Sequence, residues 1–333
     1  MKNLLIILLF GMISCNTQNI QKTDYLQKTE AFANTIQQEE IKEMLYTYAS
    51  DEFMGREAGS EHEHIATEYI RDFYKKLNID AAPHTQDYYQ TIPVGTYPRL
   101  TGKANNVVAY IPGTDKADEV VVLSAHLDHL GIKEGKIYNG ADDDGSGTIA
   151  IMNIAKAFKQ AIDKGYQPRR TLVFLHVTGE EKGLYGSKYY TDNPLFDLDK
   201  TIVNLNIDMI GRVDDEHQVK GIPNYLYLIG SDMLSDELKQ ISEEVNNQYY
   251  QMEFDYRYDA PDDPNRFYYR SDHYNFAKNN IPVIFYFNGT HADYHQDTDT
   301  PEKIDYRLLT QRTKLIFATA WTLANREDRP KLN

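Results

Sequence analysis

A single cysteine in 333 residues leaves the chain with no internal disulfide and no thiolate-rich metal cluster. Basic residues are scarce beside acidic ones: 35 Lys and Arg face 50 Asp and Glu, a formal net charge of −15. A balance of that sign repels a phosphate backbone, so nucleic-acid binding by bulk charge is excluded. There is no glycine repeat of the collagen kind, no sustained heptad and no internal repeat. No apolar run approaches the roughly 20 residues that span a bilayer. What the chain does have is apolar content. With 41% hydrophobic and 12% aromatic residues it is not a disordered chain, and its length is ample for a buried core.

The first residues read as an address. Lys2 is followed by the apolar run Leu4 to Phe10 and then by Gly11-Met12-Ile13-Ser14-Cys15. Residues 1–14 are therefore expected to be a signal peptide. The lone cysteine, placed where cleavage would fall, resembles the lipobox of bacterial lipoproteins. That resemblance implies an exported protein anchored by lipid on Cys15 to a bacterial membrane, at its periplasmic or outer face. Residues 15–34, rich in Gln, Thr and Asn, are expected to be a flexible tether. No Pro/Gly-rich linker divides the remainder of the chain, so residues 35–333 are expected to form one domain.

Thr35 with Gln38, and Ser60 with Glu63, have capping-box spacing. Ile41, Met44, Leu45 and Tyr48 come after the first at helical spacing. Ile65, Ala66, Tyr69, Ile70, Phe73 and Leu77 come after the second. Beyond Asn106 the pattern changes to short apolar runs: Val107 to Ile111, Val120 to Leu123, Leu172 to Leu175, Ile202 to Ile207, Tyr225 to Ile229 and Ile281 to Phe287. Runs of this kind suit strands buried on both faces. Helix candidates lie between and after them: Thr148 to Lys164, Leu184 to Asp192, Leu234 to Asn247, His273 to Lys278 and Tyr306 to Asn325. The alternation predicts an α/β fold of three layers, a mostly parallel central sheet with helices on both faces.

In such sheets ligands sit at the carboxyl ends of the strands. The polar clusters fall there. His126 and Asp128 come after the second run, Glu180 and Glu181 after the third, Asp208 after the fourth, and His291, Asp293 and His295 after the last; Asp142, Asp143 and Asp144 open a helix. His, Asp and Glu without cysteine suit zinc, manganese or cobalt at a hydrolytic centre. A two-metal site needs about six ligand positions, one of them a bridging carboxylate, and a further carboxylate left free to take a proton from water. His126, Asp143, Glu181, Asp208 and His295 are candidates for the ligands and Glu180 for the free group. Asp128, two residues from His126, is placed to orient its imidazole.

The motifs His126-Leu127-Asp128, Gly140 to Gly147, Gly179 to Ser187, Asp208-Met209 and Tyr294-His295 together resemble the M28 family of co-catalytic zinc peptidases. The resemblance covers roughly Tyr46 to Leu323. It implies a phosphorylase/hydrolase-like zinc peptidase fold, two Zn²⁺ per chain, and hydrolysis of the first peptide bond of substrates with a free N-terminus. It also implies roles. Asp143 would bridge the metals, His126 and Asp208 would complete one, and Glu181 and His295 the other. Glu180 would be the general base assisting a metal-bridging hydroxide, Asp128 would hold His126, and Tyr294 would help bind the oxyanion. The spacing from Val94 to Val120 is too short for the domain some members insert. An M28-type glutaminyl cyclase is an alternative, disfavoured by Leu127 where an aromatic is expected. A carboxypeptidase would need a basic clamp, for which Arg212, Arg266 and Arg270 are candidates. A non-catalytic receptor on the same scaffold is the alternative outside enzymes. Oligomeric state is not legible.

Blander readings apply to the remaining groups. Asp142 and Asp144 are expected to cap the helix they open, His176 to sit in the core, His129 and His291 in loops, and His62, His64 and His84 on the surface. Asp272 and His273 are expected to be structural. The aromatics between Tyr249 and Tyr269 either wall the substrate pocket or pack on themselves.

Overall fold

The computed structural model describes residues 27–260 and 262–333. The expected signal peptide, Cys15 and most of the expected tether lie outside those residues. Eleven strands are described. They are β1 (Asp80–Ala81), β2 (Tyr89–Ile92), β3 (Ala104–Ile111), β4 (Lys116–His126), β5 (Gly131–Lys133), β6 (Lys136–Tyr138), β7 (Arg170–Val177), β8 (Thr201–Ile207), β9 (Tyr225–Ile229), β10 (Glu253–Asp255) and β11 (Val283–Phe287). The main sheet has the order β1-β3-β7-β4-β8-β11-β9-β10, with β2 beside β3; β5 and β6 form a separate hairpin.

The centre of the sheet, β7-β4-β8-β11, is parallel throughout, whereas β3 and β9 join it antiparallel on either side. All six apolar runs read from the sequence are strands. Every residue of β7, β8, β9 and β11 is buried, so most of these runs are continuously apolar; in β8 the buried Asn204 and Asn206 interrupt the run and are paired with Ser124 and Ser271. One face is covered by helices including α1 (Thr29–Ala33), α2 (Gln38–Tyr48), α3 (Glu61–Leu77), α4 (Gly147–Ile162) and the long C-terminal helix Tyr306–Asn325, around Phe158, Phe317 and Trp321. The other is covered by helices Tyr185–Asp192 and His273–Ala277 through Tyr190 and Phe276. No helix among the described residues is long and apolar enough to cross a membrane.

Two local expectations need correction. The tether does not run to Asn34: residues 29–33 are helical, and Phe32 packs on Trp321 and Tyr166 at ring separations of 5.4 Å. The Thr35 capping box does not form, because the Thr35 hydroxyl donates to the Phe32 carbonyl at 2.7 Å instead. The Ser60 cap does form. Ser60 Oγ accepts from Glu63 N, and the Glu63 carboxylate reaches back to the Gly59 amide at 2.7 Å.

Arg56 ties three segments together under the strand ends. Its guanidinium is fully buried and donates to the carbonyls of Leu127 (3.0 Å), Tyr48 (3.2 Å), Asn139 (2.7 Å) and Gly140 (2.9 Å), lying over the Tyr48 ring. Leu127 is next to His126, and Gly140 opens the turn that carries Asp143, so this one cation fixes both loops. Removing it withdraws four donated hydrogen bonds; the Leu127 carbonyl keeps the Tyr48 hydroxyl and the Gly140 carbonyl keeps the Gly145 amide, while the Tyr48 and Asn139 carbonyls lose this donor. Arg56→Met is expected to cost about 3–5 kcal/mol of stability, read as a lowered denaturant midpoint at unchanged slope. A loss below about 1 kcal/mol would show that water replaces the guanidinium.

Candidate metal centre

His126 is the last residue of β4, Glu180 and Glu181 lie just past the end of β7, Asp208 directly past β8, and His295 in the loop after β11. Because these four strands are parallel, the groups emerge on one rim. Asp143 comes from the turn that leads into α4.

Asp143 stands at the middle. Its Oδ1 lies 3.1 Å from His126 Nε2, which is 3.6 Å from Asp208 Oδ1. Its Oδ2 lies 3.2 Å from His295 Nε2, which is also 3.2 Å from Glu181 Oε2. Two metal-capable sets therefore share one carboxylate: His126, Asp143 and Asp208, and His129, Asp143 and Glu181, with His295 against the second. Glu180 belongs to neither set, though it lines the same cleft.

Several converging atoms, namely His126 Nε2, His129 Nδ1, Asp143 Oδ2 and Glu181 Oε1, are buried and have no hydrogen-bond partner. Buried polar atoms without partners are costly, so a cluster of them aimed at common points fits a ligand. Imidazole and carboxylate donors without thiolate fit borderline divalent ions such as zinc. The electrostatics agree. Burial and Asp143 push the Glu181 carboxyl up, but His129 and His295 outweigh them and hold it down to about 2. Burial, helped by the Glu181 and Asp208 carboxylates, holds Glu180 well above the ordinary range.

The supports are specific. His126 Nδ1 hydrogen-bonds the backbone carbonyl of Asp128 at 3.0 Å, not its carboxylate, whose nearest oxygen is 3.8 Å away. The expected orienting role thus falls to the Asp128 main chain. Its carboxylate accepts the Glu180 amide at 3.1 Å. Asp144 does more than cap. It accepts from Gly147 N, as expected, and also from His126 N and Met209 N, linking three loops of the site. Asp142 is no cap: it accepts from Gly211 N and faces His291 Nε2 at 3.1 Å. Asp299, fully buried, accepts the amides of Asp142 and Asp143. Ser271 Oγ donates to Asp208 Oδ2 at 2.7 Å. His176 is a core residue as expected, hydrogen-bonded to the Tyr74 hydroxyl.

The cleft is lined by the carboxylates of Asp143, Glu180 and Asp208, by Met209, Phe267, Phe285 and Phe287, and by Arg270, Thr290, Tyr294 and His295. The Tyr294 ring stacks on His295 at 3.9 Å. Of the eight aromatics between Tyr249 and Tyr269, Phe267 reaches the cleft; Tyr249, Tyr250, Phe254 and Tyr256 pack against the core. Arg212 is engaged by Asp293 at 2.9 Å and Arg266 lies over Tyr269, so Arg270 is the one arginine of the three expected candidates that lines the cleft.

His129, Ser271, Asp299 and Arg56 were not legible as site residues. His129 carried one usable signal, its position next to Asp128. The others act through hydrogen bonds to backbone or to residues far away in sequence.

The family model described as peptidase family M28 matches residues 106–320. The chain is 32% identical over 201 residues to leucine aminopeptidase 2 of Trichophyton equinum, covering 60% of this chain and 35% of that protein. The chain thus matches about a third of that curated relative's length. Among solved structures, the LapA aminopeptidase of Legionella pneumophila superposes with a TM-score of 0.70 at 21% identity, covering 91% of this chain and 75% of that one. The glutaminyl cyclase of Porphyromonas gingivalis superposes with a TM-score of 0.62 at 19% identity, covering 85% and 97%. At these identities the structural likenesses show the fold, which matches the α/β arrangement read from the sequence.

Proposed function

The chain belongs to peptidase family M28, and from that membership we propose that it is a zinc-dependent aminopeptidase holding two Zn²⁺ per chain. The observation that carries the reading is the shared carboxylate of Asp143 between two donor sets, with Glu180 beside them and outside both. His126, Asp143 and Asp208 would hold one ion; Asp143, Glu181 and His295 the other. When bound, two such dications lower the pKa of water toward neutrality and polarise a carbonyl.

The protein's own groups supply the rest. Glu180 takes a proton from the attacking water and returns it to the leaving amine. Asp128 fixes the Glu180 main chain through the amide it accepts. The carboxylates lining the cleft attract the ammonium of a free N-terminus, and the net charge of −15 extends that attraction outward. Met209, Phe267, Phe285 and Phe287 give the cleft apolar lining suited to the first side chain of the substrate. Tyr294, which lines the cleft with its ring stacked on His295, would donate to the developing oxyanion.

A glutaminyl cyclase is the second reading, supported by the shared fold. Leu127 and the second donor set favour the peptidase. Export and lipid anchoring are proposed from the sequence of residues 1–15 alone. The test is a mixed peptide library read by mass spectrometry before and after chelation. Loss of single residues from free amino ends, restored by zinc, is expected. Trimming from carboxyl ends, cyclisation of amino-terminal glutamine, or no change would each overturn the proposal.

A further inference from the structure

We propose that His129 is a fourth protein ligand at the second metal position, so that the two positions differ in kind. The position built by His129, Asp143, Glu181 and His295 is closed. The one built by His126, Asp143 and Asp208 keeps room for exchange. This inference rests on the metal-dependent reading above.

The His129 side chain is wholly buried, and both ring nitrogens lack a hydrogen-bond partner. A buried imidazole in that state costs free energy unless something else engages it. Its Nδ1 points into the site, 2.9 Å from Glu181 Oε1 and 3.8 Å from Asp143 Oδ2. Neither Nδ1 nor Glu181 Oε1 has a partner in hydrogen-bond geometry, so the approach is not a simple hydrogen bond. Donor atoms around one tetrahedral zinc, bonded at about 2.0–2.3 Å, stand roughly 3.3–3.7 Å apart. The approaches at this position lie near that spacing: His129 Nδ1 stands 2.9 Å from Glu181 Oε1 and 3.8 Å from Asp143 Oδ2, and His295 Nε2 stands 3.2 Å from Asp143 Oδ2 and from the other Glu181 oxygen, Oε2.

The surroundings hold the ring in place. His129 N donates to the Arg56 carbonyl at 3.3 Å, and the residue pairs with Glu57 as an isolated bridge. Its ring lies against Gly140, where a Cβ would stand 2.4 Å from the ring Cγ; Gly140 also has a φ of +54°. Only glycine leaves room for the imidazole at that point. His295 meets it edge to face, with ring centroids 6.1 Å apart. A site with four protein donors is the arrangement of retained zinc, and three donors is that of zinc which exchanges ligands during turnover.

The test is a zinc titration of the metal-free full chain against a competing chelator, with metal content and X-ray absorption as readouts. The wild-type chain is expected to bind two zinc ions, one at least tenfold tighter than the other. The chain loaded with one equivalent is expected to show two imidazoles on the metal. His129→Ala is expected to weaken the tighter ion by at least tenfold, leave the weaker one in place, and reduce the count to one imidazole. An unchanged titration in a folded His129→Ala variant, or a single imidazole in the singly loaded wild-type chain, overturns the inference while leaving the two-zinc reading intact. If His129→Ala does not fold, the wild-type imidazole count decides alone. A wild-type chain that takes up no zinc overturns both readings together.

Discussion

Glu180→Gln is expected to lower kcat by about 10³-fold while the chain keeps its full metal content. The carboxylate sits in the cleft with Asp143 and Asp208 but in neither donor set, so an amide of the same shape leaves the ligands where they are. What it removes is the capacity to accept a proton from water and pass it on. KM should change little, because a carboxamide of nearly the same volume lines the same cleft. Turnover with metal content and KM measured on the same preparation checks this. A variant that keeps more than a tenth of wild-type kcat would remove Glu180 from the proton transfer. One that loses metal would show it to be a ligand.

Asp143→Ala should be at least as damaging, by another route. One carboxylate gives Oδ1 toward His126 and Oδ2 toward His295, so its loss withdraws a donor from both positions at once. Metal content is expected to fall below one ion per chain, and activity by about 10³-fold or more, equivalent to several kcal/mol of transition-state stabilisation. Thermal melts supply an independent readout. A ligand at a hundredfold excess over its Kd adds about 2.7 kcal/mol per site. Added zinc should therefore raise the wild-type Tm by several degrees and that of Asp143→Ala by much less. Equal shifts in the two proteins would show that the metal is held elsewhere.

The fold was legible because its strands are buried on both faces. Leu172 to Leu175 and Tyr225 to Ile229 carry no alternation that could be confused with a half-exposed strand, whereas Asn204 and Asn206 make Ile202 to Ile207 alternate although both faces are buried. The pieces that were missed, such as Tyr89–Ile92 and Glu253–Asp255, are short and defined by their partners rather than by composition. The same holds for Thr29–Ala33: five residues carry little helical signal, and their order comes from Phe32 meeting Trp321 at the far end of the chain. At the metal centre, the donors expected from the sequence are brought together because each lies just past a strand end or opens a helix. What the sequence concealed is work done by main chain and by distant residues. The Asp128 carbonyl holds His126, Asp299 holds the Asp143 turn from 156 residues away, and Ser271 holds Asp208. His129 was hidden differently: its meaning depends on the bend that Gly140 permits beside it.

The common direction of β7, β4, β8 and β11 gives the molecule a working rim and an idle one. The turn at Asp163, Lys164 and Gly165, ahead of β7, lies on the idle rim and is exposed; Gly165 has a φ of +89° that favours glycine, so the Lys164 amine beside it is the point of attachment. The eight residues of β7 put roughly 25 Å of buried sheet between that turn and the reacting groups. A dye, an affinity handle or a solid support attached there would report on the enzyme or hold it while leaving the approach of a peptide unobstructed.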